Sequence, residues 1–216
     1  METILNNSLQ KKRTPLLIIE EDDDEPNNSF TTEELFWQNY SGKLNPTQIE
    51  RYESQGSPEQ IKRFIRIGGG PKMGVTLEEY ARFKFTILKK REKGKNTGYD
   101  HKINIETGKE EEESIPFYVE QKSSGHWGTD DFKWQHVEIK HKWHILLLCG
   151  IGYQQINFWL MNRTTFERLI NEKKITNQGN KENDSSEGMW FNYSDVKDSL
   201  TPVNTNEEII QFINNI

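Results

Sequence analysis

The sequence predicts an α/β (α+β) domain in which a mixed central sheet is flanked by helices and preceded by a helical N-terminal part. Two observations carry this prediction. Helix-start signals follow one another through residues 31–66, and short strand-like apolar runs replace them after residue 98. A chain of 216 residues is long enough for one domain of this class with a helical appendage.

The composition predicts that part of the chain is disordered and that the rest can bind a polyanion. Hydrophobic residues make up 32% and glycine 15 of 216 residues, below the usual combined apolar share of ~45–50%. Residues 1–29, which include the acidic run Glu20–Glu25, are predicted to be disordered. The net charge is −6, but this run and Glu110–Glu113 hold ten acids, which leaves 24 acidic against 28 basic residues elsewhere. A mildly basic body suits a polyanionic partner.

Three classes of protein are disfavoured by the same composition. No apolar run approaches the ~18 residues that would predict a membrane span. The short apolar stretch Pro15–Ile19 leads directly into acids, unlike a secretory signal. Cys149 is the only cysteine, which excludes a disulfide framework and a cysteine-based zinc site. We therefore expect an intracellular, cytoplasmic protein that is not bound to a membrane, or a nuclear one if its origin is eukaryotic or viral.

Capping signals predict the helices of the first half. Four segments place a hydroxyl residue or an X-Pro pair shortly before Glu or Gln: Thr31/Glu34, Asn45-Pro46/Gln48, Ser57-Pro58/Gln60 and Thr76/Glu79. The first and last match the capping box, and the other two place proline at the first helical position. We predict three short helices over 31–66 and a longer one over 76–92, with Tyr80, Phe83 and Ile87 as its apolar stripe.

The second half is predicted to form the sheet. Four strand-like runs follow in chain order: Tyr99–Ile105, Ile115–Lys122, Ile145–Ile151 and Ile156–Met161. The third run is apolar almost throughout, which is typical of a strand buried on both faces. A helix is predicted over Thr165–Lys173, a long polar loop over 174–189, and a last short helix capped by Thr205 with Glu208.

The first two strands are predicted to pair as an antiparallel hairpin centred near residue 110. That register places Asp100 opposite Glu120, with their Cβ atoms ~5 Å apart. Side chains two positions apart share a face, so Lys122 joins the two acids while the Gln121 side chain points away. Two carboxylates this close repel each other unless a positive charge lies between them, and a hard divalent cation is the usual solution.

The same residues could supply the rest of a metal-dependent hydrolytic site. The main-chain carbonyl of Gln121 offers a further oxygen ligand. Lys122 would lie beside a metal-bound water, where it can orient or deprotonate the nucleophile and offset charge on a pentacovalent phosphate. The alternative is an exposed hairpin with surface charges on alternate positions. The apolar run Phe117–Val119 beside the acids favours the functional interpretation.

The segments Gly98-Tyr99-Asp100-His101 and Val119-Glu120-Gln121-Lys122-Ser123-Ser124 resemble the PD-(D/E)XK superfamily, the restriction-endonuclease-like nucleases. Its signature is an Asp on one strand and Glu-x-Lys on the next. The resemblance covers roughly residues 70–160 and implies a core that runs helix, acid-bearing strands, helix, strand. On this match Asp100 and Glu120 are metal ligands and Lys122 is the catalytic lysine. The family's proline before the Asp is replaced here by Tyr99.

The resemblance also implies a further acid and a division of the chain. The family often adds a glutamate from the preceding helix, and Glu78 in Gly74-x-x-Leu77-Glu78 is the match. Beyond the disordered segment 1–29, residues 30–216 would form a single nuclease domain. Its parts would be a helical appendage (30–70), a catalytic core (71–162), and C-terminal helices with the polar loop (163–216).

The function implied by the resemblance is Mg²⁺-dependent endodeoxyribonuclease activity, with Mn²⁺ as a substitute, on double-stranded DNA. The closest class is a type II restriction endonuclease acting as a homodimer. A structure-specific or repair nuclease, or a catalytically silent DNA-binding or interaction module, remain alternatives. Some family members place a glutamine soon after the hairpin, which makes Gln135 a DNA-binding candidate. The other candidates lie in the polar loop, which could equally be a surface linker: Asn177, Gln178, Asn180 and Lys181.

Overall fold

The computed structural model describes residues 46–67, 70–92, 98–105, 115–127, 131–178 and 188–216. The α-helices in these segments are α1 Pro46–Ser54, α2 Glu59–Arg66, α3 Gly70–Lys84, α4 Arg163–Asn171, α5 Tyr193–Val196 and α6 Asn206–Asn214. The strands are β1 Lys89–Lys90, β2 His101–Ile105, β3 Ile115–Trp127, β4 Asp131–Val137, β5 Ile145–Ile151, β6 Ile156–Asn162, β7 Thr176–Asn177, β8 Met189–Asn192 and β9 Thr201–Pro202. The predicted mixed α/β class is confirmed. The expected disorder of residues 1–29, the first helix of 31–45 and the acidic run 110–113 lie outside the described residues.

The sheet is mixed, as predicted, and β3 is its organising strand. The strand order is β7-β8-β4-β3-β5-β6-β9, and β2 lies between β3 and the short β1. β3 is 13 residues long, which lets its first part pair antiparallel with β2 while its second part pairs parallel with β5. β5 and β6 are antiparallel neighbours. Residues 119–125 of β3 therefore have β5 along one edge, while the pairing with β2 ends at Val119 and the pairing with β4 begins at His126.

Two apolar cores cover the two faces of the sheet. Every residue of β5 is buried, as its apolar sequence predicted. Because side chains alternate along a strand, Ile145 and Leu147 pack in a core with α2, α3 and α6, whereas Leu146 and Leu148 pack in a second core with α4 and β8. Tyr52 of α1 joins the first core, and its hydroxyl donates to the Ile151 carbonyl at 2.5 Å. The helices are thus held against the sheet beside β3.

The longer helix of the first half differs from its prediction at both ends. α3 begins at Gly70, so Thr76 lies inside it, and the Thr76 hydroxyl donates to the Lys72 carbonyl at 2.9 Å instead of capping. The helix ends at Lys84, and residues predicted as its continuation form β1, which pairs with β2. The apolar stripe also shifts, because Leu77, Tyr80 and Ala81 are buried whereas Phe83 is 39% exposed.

The other predicted helices that fall on described residues are confirmed. α1 and α2 lie within the range predicted for short helices, and α6 carries the predicted capping box of Thr205 and Glu208. α4 begins two residues earlier than predicted because the Asn162 side chain caps it, accepting from the Thr165 N–H at 2.8 Å. None of the helices in the described segments is both long and apolar enough to cross a membrane.

Besides β1, four strands of the sheet were not predicted: β4, β7, β8 and β9. The predicted polar loop 174–189 contains β7 and the first residue of β8, where Asn177 pairs with Met189. β4 and the turn residues 138–144 also form the connection from β3 to the parallel strand β5. The resemblance implied a helix in this connection, and the described part of the connection contains none.

Candidate active site

The hairpin of β2 and β3 forms in the predicted register. His101 pairs with Val119 and Ile105 with Ile115, so the pairing is centred on residue 110 as expected. The register places His101 on the same face as Val119 and Ile103, where it is fully buried. Because side chains alternate, Glu120 lies on the opposite face of β3.

Asp100 lies at an irregular position immediately before β2. Its N–H donates to the Val119 carbonyl at 2.9 Å, although Val119 already stands opposite His101. Asp100 is therefore beside residues 119–121 and not squarely opposite Glu120, which corrects the predicted pairing. Its side chain completes the ladder, because Oδ2 accepts from the Gln121 N–H at 2.9 Å. The N–H and C=O of a strand residue face the same edge, so the Gln121 carbonyl also faces the Asp100 side.

Glu120 and Lys122 form a close ion pair, as their shared face predicted. Lys122 Nζ lies 2.6 Å from Glu120 Oε1. The Lys122 side chain is 20% exposed and the Glu120 side chain is 6% exposed. Burial raises the pKa of Glu120, while the Lys122 ammonium opposes the rise. A buried carboxylate in this state is stabilised by any positive charge brought beside it.

The Gln121 side chain points away from the acids, as predicted, and joins a buried polar chain. His101 Nδ1 lies 3.2 Å from Arg82 Nη1, and His101 Nε2 lies 2.8 Å from Gln121 Oε1. Arginine can only donate, so His101 accepts at Nδ1 and donates from Nε2 to Gln121. The Gln121 amide nitrogen then donates to the Ser123 hydroxyl at 3.3 Å. Burial lowers the pKa of His101 to about 4, which keeps this imidazole neutral. These contacts fix the backbone that holds Asp100.

Glu78 of α3 faces the same group of acids. Burial and the nearby Asp100 carboxylate raise the pKa of Glu78 to about 7, and the charge of Glu120 adds to the rise. The Arg82 guanidinium, whose Nη1 lies 3.8 Å from Glu78 Oε2, opposes it. Glu78, Asp100 and Glu120 therefore share one electrostatic environment. Within the described segments, however, no three His, Cys, Asp or Glu side chains are close enough to hold a metal ion by themselves.

A cleft of about 880 Å³ opens beside these residues. Its floor is formed by Asp100 and by residues 121–126 of β3, and one wall by Glu78 and the first half of α3. Arg51 and Lys133 add positive charge, and Gln135 and His136 of β4 line the cleft as well. Glu120 does not line it and is connected to it through Lys122. The lining of the cleft therefore includes both acidic and basic side chains.

The predicted DNA-binding residues are only partly brought to this cleft. Gln135 lines it, whereas Asn177 and Gln178 do not. The Asn177 carbonyl accepts from Trp190 Nε1 at 3.1 Å, and Gln178 Nε2 lies 3.4 Å from His136 Nε2. Asn180 and Lys181 lie outside the described residues.

Arg51, Lys133 and His136 line the cleft but were not predicted as site residues. Lys133 Nζ stands 4.0 Å above the ring centre of Trp190, so a cation–π contact holds its ammonium there. Lys133 also lines the cleft. The signal that could have found it is the alternation of Phe132 and Trp134, both buried, with the half-buried Lys133 and Gln135.

The raised pKa of Glu78 makes the stability of the protein pH-dependent. The pKa is 4.5 when unperturbed and about 7 in the folded protein. Between pH 4.5 and about 7, Glu78 is protonated more in the folded state than in the unfolded state. The contribution of Glu78 to the free energy of unfolding therefore decreases as pH rises through this range. Without metal, we expect Glu78→Gln to reduce this dependence of stability on pH. At pH values above about 7, the substitution should raise the free energy of unfolding by on the order of 1 kcal/mol.

Denaturant midpoints across the window, measured in chelator, provide the test. Glu79→Gln is the matched control, because Glu79 is adjacent on α3 and does not line the cleft. The control should keep the parental slope. A Glu78→Gln protein that also follows the parental curve would contradict the burial of this carboxylate beside Asp100.

No family model, curated protein or solved structure matches this chain. The arrangement of Asp100, Gln121 and Lys122 at the cleft, with Glu120 paired to Lys122, is therefore the basis on which a function can be proposed.

Proposed function

We propose that this protein is a divalent-metal-dependent DNA endonuclease, most similar to type II restriction endonucleases, with a restriction-endonuclease-like core. The observation that carries the proposal is the Asp100 carboxylate bound to the Gln121 N–H at 2.9 Å, one residue from the Glu120–Lys122 ion pair at 2.6 Å. Asp100, immediately before β2, thus lies beside the Glu-x-Lys segment of β3, and the cleft next to them includes Arg51 and Lys133 in its lining.

The residues present suit a small hard cation. Asp100, Glu120 and the Gln121 carbonyl offer only oxygen donors, which Mg²⁺ and Mn²⁺ prefer, and Mg²⁺ commonly keeps several waters and takes only one or two carboxylates. The raised pKa of the buried Glu120 is typical of a carboxylate that a cation would stabilise. When bound, the cation would supply a water acidic enough to attack a phosphodiester and charge to stabilise the transition state.

The protein's own residues account for binding and orientation. Arg51 and Lys133 are placed to hold phosphates along the cleft, and phosphate contacts of this kind fix the register of a DNA strand. Lys122 is placed to neutralise charge at the attacked phosphate, because its ammonium pairs with Glu120 and the residue lines the cleft. The chain from Arg82 through His101 to Gln121 holds the backbone against which Asp100 is aligned.

Several features support the proposed core. α3 precedes the hairpin and supplies Glu78, and β5 pairs parallel to the strand that carries Glu120 and Lys122. The connection through β4 is the departure from the core order that the resemblance implied. It adds β4, β8 and β7 to the sheet on the side of the cleft that holds Gln135. A type II enzyme of this size would act as a homodimer to cut both strands.

Incubation of the purified protein with supercoiled plasmid, with Mg²⁺ or with excess chelator, tests the function. Discrete fragments that require Mg²⁺ or Mn²⁺ are the expected result, and Ca²⁺ should support binding without turnover. Nicking or a smear would favour a structure-specific or repair nuclease. Absence of cutting under every condition would favour a silent DNA-binding or interaction module, and full cleavage in chelator would contradict the metal site.

A further inference from the structure

The part of the cleft lining that β4 supplies contains a strained irregularity. Trp134 pairs with Phe191 and Val137 with Met189, so β4 has one more residue than β8 between these two pairs. His136 lies in this bulge with φ 57°, in the left-handed region that residues other than glycine adopt uncommonly. Bulges of this kind turn a side chain in a new direction.

The neighbouring strand is shaped to accept the bulge. Gly188 lies against it with φ 80°, and a Cβ atom added there would lie 3.0 Å from the His136 backbone. The bulge is therefore supported by a glycine that leaves room for it. Strain of this type costs stability and persists where the surrounding structure fixes it, most often at functional sites.

Gln135 and His136 are the two residues of β4 between the pairs that flank the bulge, and both line the cleft. A bulge changes the direction of the side chains within it. Lys133 lines the same wall, and His136 is exposed. The wall therefore presents an amide, an imidazole and an ammonium to whatever occupies the cleft.

We propose that the β4 bulge is the sequence-reading element of the enzyme, with Gln135 and His136 as its specificity-determining residues; this rests on the proposed nuclease function. A glutamine amide matches the paired donor and acceptor of adenine. The His136 imidazole, whose Nε2 also lies 3.4 Å from Gln178 Nε2, supplies ring nitrogens for a further contact. Lys133 binds a neighbouring phosphate, which holds the strand while the bulge contacts base edges.

The test replaces the strained residue by glycine, which adopts this backbone conformation freely. His136→Gly removes the imidazole and relieves the strain, so the variant should be at least as stable as the parent. Lys173→Gly is the matched control, because Lys173 also has a left-handed backbone, with φ 59°, and lies after α4 without lining the cleft. Thermal midpoints show that both variants are folded.

The readout is the set of DNA ends produced from a long duplex in Mg²⁺, determined by sequencing. The parent should show base preferences near the cut, and His136→Gly should relax one or two of them by about tenfold. Gln135→Ala should relax a preference for adenine, and Lys173→Gly should leave every preference unchanged. A parent without base preference, or a His136→Gly protein with parental ends or with a uniform loss of cutting, would overturn the inference.

A binding measurement separates this inference from the proposed function. The affinities of the parent and of His136→Gly for a labelled DNA duplex are measured in Ca²⁺, with unlabelled random-sequence DNA as competitor. The labelled duplex contains the site that the parent prefers to cut or, if the parent does not cut, a site selected by binding from a pool of random duplexes. If the parent cuts with preferences that His136→Gly retains, the inference fails and the nuclease function stands. If the parent binds selectively without cutting and His136→Gly loses the selectivity, the function fails and the reading element stands.

Discussion

Asp100→Asn and Glu120→Gln are each expected to lower the rate of DNA cleavage by about a thousandfold or more, with DNA affinity changed only a few-fold. Each substitution removes the negative charge that would hold the cation while leaving the size of the side chain unchanged. The amide introduced by Asp100→Asn keeps an oxygen that can accept from the Gln121 N–H, so the backbone between β2 and β3 should stay in place.

Single-turnover cleavage in Mg²⁺ and affinity in Ca²⁺ measure the two effects separately. Glu167→Gln is a matched control, because it removes a carboxylate from an exposed ion pair with Arg163 on α4, away from the cleft. It should cut at the parental rate. Parental cleavage by either Asp100→Asn or Glu120→Gln would show that the metal site lies elsewhere.

The hairpin that carries these acids could be predicted because its determinants are local. The strand-like runs 99–105 and 115–122 bracket a polar connection, and that symmetry sets the register observed between His101 and Val119. The alternation of side chains then placed Lys122 with Glu120 and turned Gln121 away, as the ion pair and the His101 contact confirm. The displacement of Asp100 from the position opposite Glu120 could not be predicted. It depends on the Asp100 carboxylate accepting a hydrogen bond from the Gln121 N–H, where a backbone carbonyl would accept it in a regular sheet.

The limits of α3 show how tertiary pairing overrides a local signal. Thr76 and Glu79 match a capping box, but Pro71 near the start allows the helix to begin at Gly70, which leaves Thr76 in its interior. The helix ends at Lys84 because the following residues, Lys89 and Lys90, pair with β2. The stabilisation from that pairing comes from residues of β2 more than ten positions away along the chain. The periodicity that predicts a helix contains no information about such distant residues.

The missed strand β4 has a physical reason in its bulge. Its buried residues Phe132, Trp134 and Val137 are spaced by two and then by three positions. The extra residue in the bulge interrupts the period of two that identifies a strand, so the pattern resembles neither a strand nor a helix. The alternation that could have indicated Lys133 is therefore only four residues long, and it ends where the bulge brings His136 into the wall.

The buried pair of Glu120 and Lys122 gives the second large expected effect. Lys122→Met should abolish cleavage to a similar extent as Asp100→Asn, and it should also lower the free energy of unfolding by about 3 kcal/mol. The loss of stability arises because the Glu120 side chain, only 6% exposed, is left without the ammonium 2.6 Å away. Its pKa, already raised by burial, should rise further, since Lys122 is the main influence that lowers it.

The sign of the pH dependence follows from that carboxylate. With the folded pKa of Glu120 raised above the unfolded value, the destabilisation in Lys122→Met is largest at high pH and shrinks as pH falls through the folded pKa. The double variant Glu120→Gln/Lys122→Met removes the uncompensated charge, so it should recover most of the lost stability and remain inactive. Denaturant unfolding and cleavage of the parent, both single variants and the double variant give the coupling energy directly. Additive stability losses would show that the ion pair is not coupled, and a double variant that regains cleavage would show that neither residue takes part in the reaction.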